Sequence, residues 1–341
     1  MRKLLCLVLA VWVVAGIVPA ARASDPVQQA AAWLHTQQLP DGSFGLRRAD
    51  GTYAPSASIT ADVIYVLALV GEDPAGAAWT QGGQSALGAL AKLAPDYVYS
   101  DAGHIYSDAG RAGKVARVVA LAGGNPRDFG GMNLVSIIQA AYDPASGRYY
   151  PPDRPWLYRD ALAIEGLLRS GEPVSSAAFN ALIQAQLPDG SWSWSFNATQ
   201  GDVDTTGRVL QLLGGQAQLG CVSGYGRAAD YLAAAQTADG GWGVYPPPNT
   251  NPSNANSTAL AVAGLRATGF DPQAARFQKN SRDALDALLS FQEPSGAFVY
   301  IQQAGQEESR LMATVDALNA LAQPSVAQPV CHPTYLPLII R

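Results

Sequence analysis

Apolar residues recur at helical spacing in four alanine-rich segments, residues 28–38, 176–186, 228–236 and 281–292, and each runs up to a glutamine. A turn built on Asp-Gly or Ser-Gly follows, where glycine supplies a positive φ that other residues resist. An aromatic residue sits two positions after the glycine. A second periodic segment then begins behind polar residues and ends in a Gly-x-x-Pro stop or its close variant, as in residues 60–70, 160–169 and 258–267. No run of alternating polar and apolar residues predicts a strand.

The unit repeats. Trp33-Leu34-x3-Gln38-x3-Gly42-x-Phe44, Leu182-x3-Gln186-x3-Gly190-x-Trp192, Tyr231-Leu232-x3-Gln236-x3-Gly240-x-Trp242 and Leu288-x3-Gln292-x3-Gly296-x-Phe298 align closely. A looser copy ends at Gly147-Arg148-Tyr149, and an eroded one falls near residues 97–103. Their spacing of about 45 to 55 residues marks a helix-pair repeat. Six pairs without distinct capping repeats predict a closed, all-α α6/α6 toroid rather than an open solenoid.

The aromatic-Leu-x3-Gln-x3-Gly-x-Trp pattern resembles the QW motif of squalene-hopene cyclases and the related repeat of protein prenyltransferase β subunits. Gln38, Gln186, Gln236 and Gln292 match its glutamine; Trp192 and Trp242 match its tryptophan, which Phe44 and Phe298 replace. The resemblance covers roughly residues 26–323 and implies a terpenoid-cyclase-type barrel. The motif is scaffold, so it carries fold more than activity.

The ends of the chain differ from its middle. Arg2 and Lys3, an apolar stretch and Ala21-Arg22-Ala23 read as a signal peptide over residues 1–23, which predicts an exported protein. The toroid is expected over residues 24–324 and a Pro-rich tail over 325–341. Losing Arg2, Lys3 and Arg22 takes the net charge from −5 to −8. That balance, without basic runs, argues against nucleic acid as a partner. Cys221 and Cys331 would remain in an oxidising compartment and are expected to pair. Their loop of about 110 residues makes such a bridge worth about 4.7 kcal/mol in chain-entropy terms. The mature chain is expected to be a monomer without a membrane span.

Chemistry is less legible. Asp202-Val203-Asp204-Thr205-Thr206 resembles the D-x-D-D motif of class II terpene cyclases. By position Asp204 would be the proton donor, but Thr205 stands in place of a carboxylate. Ser56-x-Ser58-x-Thr60 and Asn254-x-Asn256-x-Thr258 share the polar-x-polar-x-Thr pattern, which assigns Asp204 the role of a helix N-cap. No H-x3-H or C-x2-C spacing suggests a metal, and no cofactor is expected. Aromatic turns ring one end of the barrel, where a ligand site is expected among Trp156, Tyr158, Trp194, Asp202, Asp204, Tyr245 and Asn254, with helix N-termini facing the ligand. Asn197 and Asn256 begin glycosylation sequons by pattern. The main functional expectation is non-catalytic binding of a small molecule or cell-surface partner. The alternatives are a class II cyclase using Asp204 and a structural envelope component.

Overall fold

The computed structural model describes residues 25–48, 50–99, 107–150, 153–216, 219, 224–247, 252–301 and 309–323. Residues 1–23, the tail 325–341, Cys221 and Cys331 lie outside the described residues. Six outer helices, α1 (Pro26–Thr36), α3 (Ala86–Val98), α5 (Leu134–Ala140), α7 (Ser176–Gln184), α9 (Gly224–Ala235) and α11 (Ala284–Leu289), alternate with six inner ones. The inner set is α2 (Ala57–Leu69), α4 (Ala109–Leu121), α6 (Leu157–Arg169), α8 (Val203–Gly214), α10 (Ala255–Ala267) and α12 (Arg310–Ala322). Each inner helix packs on the next, and α12 packs on α2, so the ring closes. Two small hairpins, β1 (Gly45–Arg47) with β2 (Tyr53–Pro55) and β3 (Thr80–Gln81) with β4 (Gln84–Ser85), are local decoration.

The glutamine is the joint between repeats. The Nε2 atoms of Gln38, Gln186 and Gln236 each donate to the carbonyl of the turn glycine four residues on, and also to a carbonyl of the next repeat, at Trp79, Gly224 and Phe277. In the last repeat Gln292 reaches back to Pro26 O, 2.9 Å away, which ties the sixth unit to the first. Gly190 has φ +92°, and a methyl group there would fall 2.3 Å from the Arg227 carbonyl oxygen; the turn needs glycine for conformation and for space. Trp192 and Trp242 are fully buried and donate from Nε1 to Leu182 O and Leu232 O, back on the helix just left.

In four repeats a threonine fastens the turn to its inner helix. Thr60, Thr206, Thr258 and Thr314 accept, through Oγ1, the backbone N–H of Phe44, Trp192, Trp242 and Phe298 at 2.9–3.0 Å. The third repeat places Asp160 in that position, where its Oδ1 accepts from Tyr149 N at 2.5 Å. Inner helices also differ in how closely they approach. A methyl on Gly207 would meet Leu260 O at 2.3 Å, and one on Gly113 would meet Leu162 O at 2.2 Å, so α8–α10 and α4–α6 touch backbone to backbone.

Candidate active site

Outer helices run towards the rim that carries the aromatic turns, and inner helices start there. At that rim the polar-x-polar-x-Thr segments take up one geometry three times. Ser56, Asp202 and Asn254 are the N-caps of α2, α8 and α10, accepting from the backbone N–H three residues on. Asp202 Oδ1 accepts from Thr205 N at 2.7 Å, and its Oδ2 from Thr205 Oγ1 at 3.0 Å. The expectation that Asp204 is the cap is therefore corrected: the cap is the first polar residue of each segment, two positions earlier. The cause is local. Asp202 N donates to Trp192 O, holding residue 202 in extended backbone, so the helix cannot begin before residue 203.

Ser58, Asp204 and Asn256 are thereby turned to the lumen. Lys114 Nζ donates to Ser58 Oγ at 2.8 Å, and Asn256 Nδ2 donates to Asp316 Oδ2 at 2.5 Å. Asp204 hydrogen-bonds the Ser257 hydroxyl, which itself accepts from Asn254 Nδ2 at 3.1 Å. The other oxygen, Oδ1, is buried and has no hydrogen-bond partner among the described residues. Burial raises the Asp204 carboxyl to about 6, with the charge of Asp202 acting the same way and the Ser257 hydroxyl opposing. Burial raises Asp202 as well, against its bonds from Thr205.

Below this layer the lumen is polar. Lys114 Nζ lies 2.6 Å from Asp62 Oδ2, Arg117 Nη1 2.7 Å from Glu165 Oε2, and Arg117 Nη2 3.6 Å from Asp62 Oδ1. The Arg117 guanidinium also stacks over Tyr65, 4.4 Å from the ring centre. Burial would raise Glu165, but Arg117 and Arg208 outweigh it and hold the carboxyl below its usual range. Across the ring Gln211 Nε2 donates to Asn319 Oδ1 and Gln323 Oε1 at 2.9 and 3.0 Å. Burial pushes Asp316 up to about 7, helped by Asp62 and Asp204 and opposed by Arg208 and Asn256. Apart from Asp204 and Asn256, the sequence reading missed these residues. Their signal was present: charged or amide side chains recurring every three or four residues on otherwise apolar second helices, as at Asp204-Arg208-Gln211 and Asp316-Asn319-Gln323.

The expected site residues are only partly assembled. Asp202, Asp204 and Asn254 start α8 and α10 side by side. Tyr158 lies half-buried with the Arg208 guanidinium 6.0 Å from its ring. Trp156 packs on Tyr150 and under Arg159. Trp194 and Tyr245 are 56% and 36% exposed on the rim. The expected first-turn N–H groups are already satisfied, because Tyr158 N, Val203 N and Ala255 N donate to Trp194, Val244 and Tyr300 carbonyls of the next turn. The Asn256 sequon is turned inward, with Ser257 and Thr258 fully buried, whereas Asn197 is exposed. A cavity of about 360 Å³ lies at the seam of the first and last repeats, by Trp33, Tyr53, Ile59 and Met312. Another of about 300 Å³ lies towards the far rim, by Tyr65, Glu165, Arg169 and Gln211.

No protein-family profile matches the chain. A drimenyl diphosphate synthase of Streptantibioticus cattleyicolor is 36% identical over 136 residues, 37% of this chain and 23% of the relative's length. The matched stretch thus spans about a quarter of that relative. Among solved structures, the type II terpene cyclase MstE from Scytonema aligns over 87% of this chain at TM-score 0.60 and 16% identity, both with its substrate geranylgeranyl dihydroxybenzoate and with its product merosterolic acid A. These alignments cover 96% and 95% of the MstE chains. The ent-copalyl diphosphate synthase of Streptomyces platensis aligns over 81% of this chain and 53% of its own, at TM-score 0.51 and 20% identity. At these identities the likeness shows the fold, a squalene-cyclase/prenyltransferase-like α/α toroid. The comparisons overturn the expectation of non-catalytic binding: the neighbours solved with substrate and product are cyclases, and the curated relative is a synthase. They support the cyclase alternative.

Proposed function

We propose that this squalene-cyclase-like toroid is an enzyme, a class II terpene cyclase in which Asp204 is the general acid. One observation carries the reading. Asp204 is freed from capping by Asp202, faces the lumen, and keeps a buried carboxyl oxygen without a partner among the described residues. A general acid must hold its proton until the substrate arrives, and a carboxyl raised to about 6 does so better than an exposed one. The reaction begins when Asp204 gives that proton to the end of a polyprenyl chain. The cation so formed is attacked by a neighbouring double bond, which closes a ring. The last cation loses a proton, so the product is an isomer of the substrate. Ser257 donates to the carboxylate left on Asp204 and lowers the cost of releasing the proton.

The MstE substrate and the name of the drimenyl relative direct the first assays to geranylgeranyl dihydroxybenzoate and farnesyl diphosphate. Chromatography with mass detection should find a new compound of unchanged mass. Absence of any cyclised isomer from these and related prenyl chains, with folded protein, would falsify the reading.

A further inference from the structure

We infer that the seam between the sixth and first repeats holds the anionic end of the substrate, a carboxylate or phosphate on a prenyl chain, against Arg310 and Arg47. The prenyl chain rests on the cyclase reading; the anion site follows from the seam itself. The sixth repeat departs from its relatives at two positions. In the first, fourth and fifth repeats the residue four before the buttressing threonine is a short cap, Ser56, Asp202 or Asn254. The residue two before that threonine is polar as well, Ser58, Asp204 or Asn256. Thr314 accepts from Phe298 N as Thr206 does from Trp192 N, so the register is the same. Counting back from Thr314 gives Arg310 and Met312. A cation and an apolar side chain replace a polar pair.

Arg310, Leu311 and Met312 are the first three residues of α12, and all three line the cavity of about 360 Å³ at the seam. Its lining is of two kinds. Trp33, Tyr53, Ile59 and Met312 offer apolar surface, and Leu46 and Tyr53 at its edge stay 56% and 48% exposed. Arg47, Arg310 and Glu293 are its charged groups, two guanidiniums against one carboxylate, which leaves one positive charge. Arg310 Nη2 lies 2.9 Å from Glu293 Oε1, with side chains 29% and 32% exposed. An ion pair so open to water is held weakly, and a guanidinium has five donors, so an incoming anion can share it. The positive end of the α12 dipole acts in the same sense.

An anionic amphiphile uses both kinds of lining. A small inorganic anion would leave Trp33 and Tyr53 in water, and an uncharged chain would leave the guanidiniums without the planar carboxylate or phosphate they match. The site also lies in reach of the acid. Met312 holds on α12 the place that Asp204 holds on α8, so the cavity meets the lumen wall there. α12 packs on α10 and α10 on α8. At about 8–10 Å between neighbouring helices, the seam is about 16–20 Å along the wall from Asp204. A prenyl chain anchored at the seam can lie along that wall with its far end at the acid.

The test is equilibrium binding of farnesyl diphosphate and of farnesol in metal-free buffer. It uses the wild type and Asp204→Asn, so the readout does not need turnover. Both proteins are expected to bind the diphosphate at least about tenfold more tightly than the alcohol. Arg310→Gln should remove most of that preference. Glu293→Gln deletes the competing carboxylate and should tighten diphosphate binding about threefold, a gain that a merely structural ion pair would not give. Melting curves check folding, and Arg47→Gln, on the exposed β1–β2 hairpin, carries the test if Arg310→Gln does not fold. Equal affinity for the two ligands, an unchanged preference in the folded arginine variants, or weaker diphosphate binding in Glu293→Gln overturns the inference whatever the turnover. Binding as expected without any cyclised product keeps the anion site and sinks the cyclase reading instead.

Discussion

The first and fourth repeats begin their inner helices in the same way and finish with different chemistry. In each, a polar residue caps the helix, a threonine four positions on binds the turn, and the residue between them faces the lumen. In the first repeat that residue is Ser58, bonded to Lys114. In the fourth it is Asp204, with one oxygen idle and its proton held to about 6. Cap and threonine are constrained by the backbone groups they satisfy. The lumen position is bound by neither, so the repeat leaves it free to vary. Function in this toroid is to be sought at such positions, where repeats differ inside an unchanged frame.

The largest effect should come from Asp204→Asn. An amide cannot donate the initiating proton, so cyclisation should fall by about 10²–10⁴-fold. The melting temperature should stay near that of the wild type, because asparagine leaves the Asp202 cap intact. A variant that keeps turnover would remove the distinction between the two repeats. The wild-type rate should also fall as pH rises through about 6, where Asp204 loses its proton.

Next is the ion pair beneath. Arg117 is 1% exposed and pairs with Glu165 and, at longer range, Asp62. Glu165→Leu strands part of that charge and should cost about 3 kcal/mol. Arg117→Met combined with Glu165→Leu should recover much of the loss, as denaturant titration of the three variants would reveal.

Much of the frame was legible in the chain and little of the lumen was. Gln186, Gly190 and Trp192 lie within seven residues, and apart from the bond of Gln186 to Gly224 the bonds their side chains donate close within residues 182–192, so one window contains most of the device. The lumen cluster draws Asp62, Lys114, Glu165, Arg208 and Asp316 from five helices, at steps of 43 to 108 residues, and no linear motif joins them. The cap was misplaced by two residues because Asp202 and Asp204 are equally good N-cap residue types. Only the pairing of residue 202 with Trp192 decides between them.

A comparison of the third repeat with the others gives a smaller, pH-dependent effect. Asp160 stands where four repeats have threonine, its Oδ2 is buried without a partner among the described residues, and burial raises it to about 7 against the hydrogen bond from Tyr149. A folded pKa above the unfolded value near 3.8 means that folding takes up a proton between those limits. Stability is therefore greatest at the acidic end of that window and declines as pH rises to about 7; Asp204 and Asp316 act in the same direction. Asp160→Thr should stabilise by about 1–3 kcal/mol at pH 8 and by less at pH 5. Thermal melts of both proteins at the two pH values measure it, and a gain that grows towards acid would contradict the assignment.

The smallest effects separate cap from lumen position directly. Asp202→Ala removes the acceptor for Thr205 N at the start of α8 and should cost about 1 kcal/mol, as should Ser56→Ala at the start of α2. Ser58→Ala lies two residues inside the helix and deletes one bond from Lys114, whose ammonium keeps Asp62 at 2.6 Å. It should change stability by a few tenths of a kcal/mol, within the range of an ordinary partly exposed hydrogen bond. Asp204→Ala should likewise cost almost nothing, since it removes a carboxylate that burial disfavours. Melting curves of the four variants at pH 7.5 give the order. If Asp204→Ala were to cost as much as Asp202→Ala, residue 204 would share the capping role, and its freedom to act as an acid would lose its structural basis.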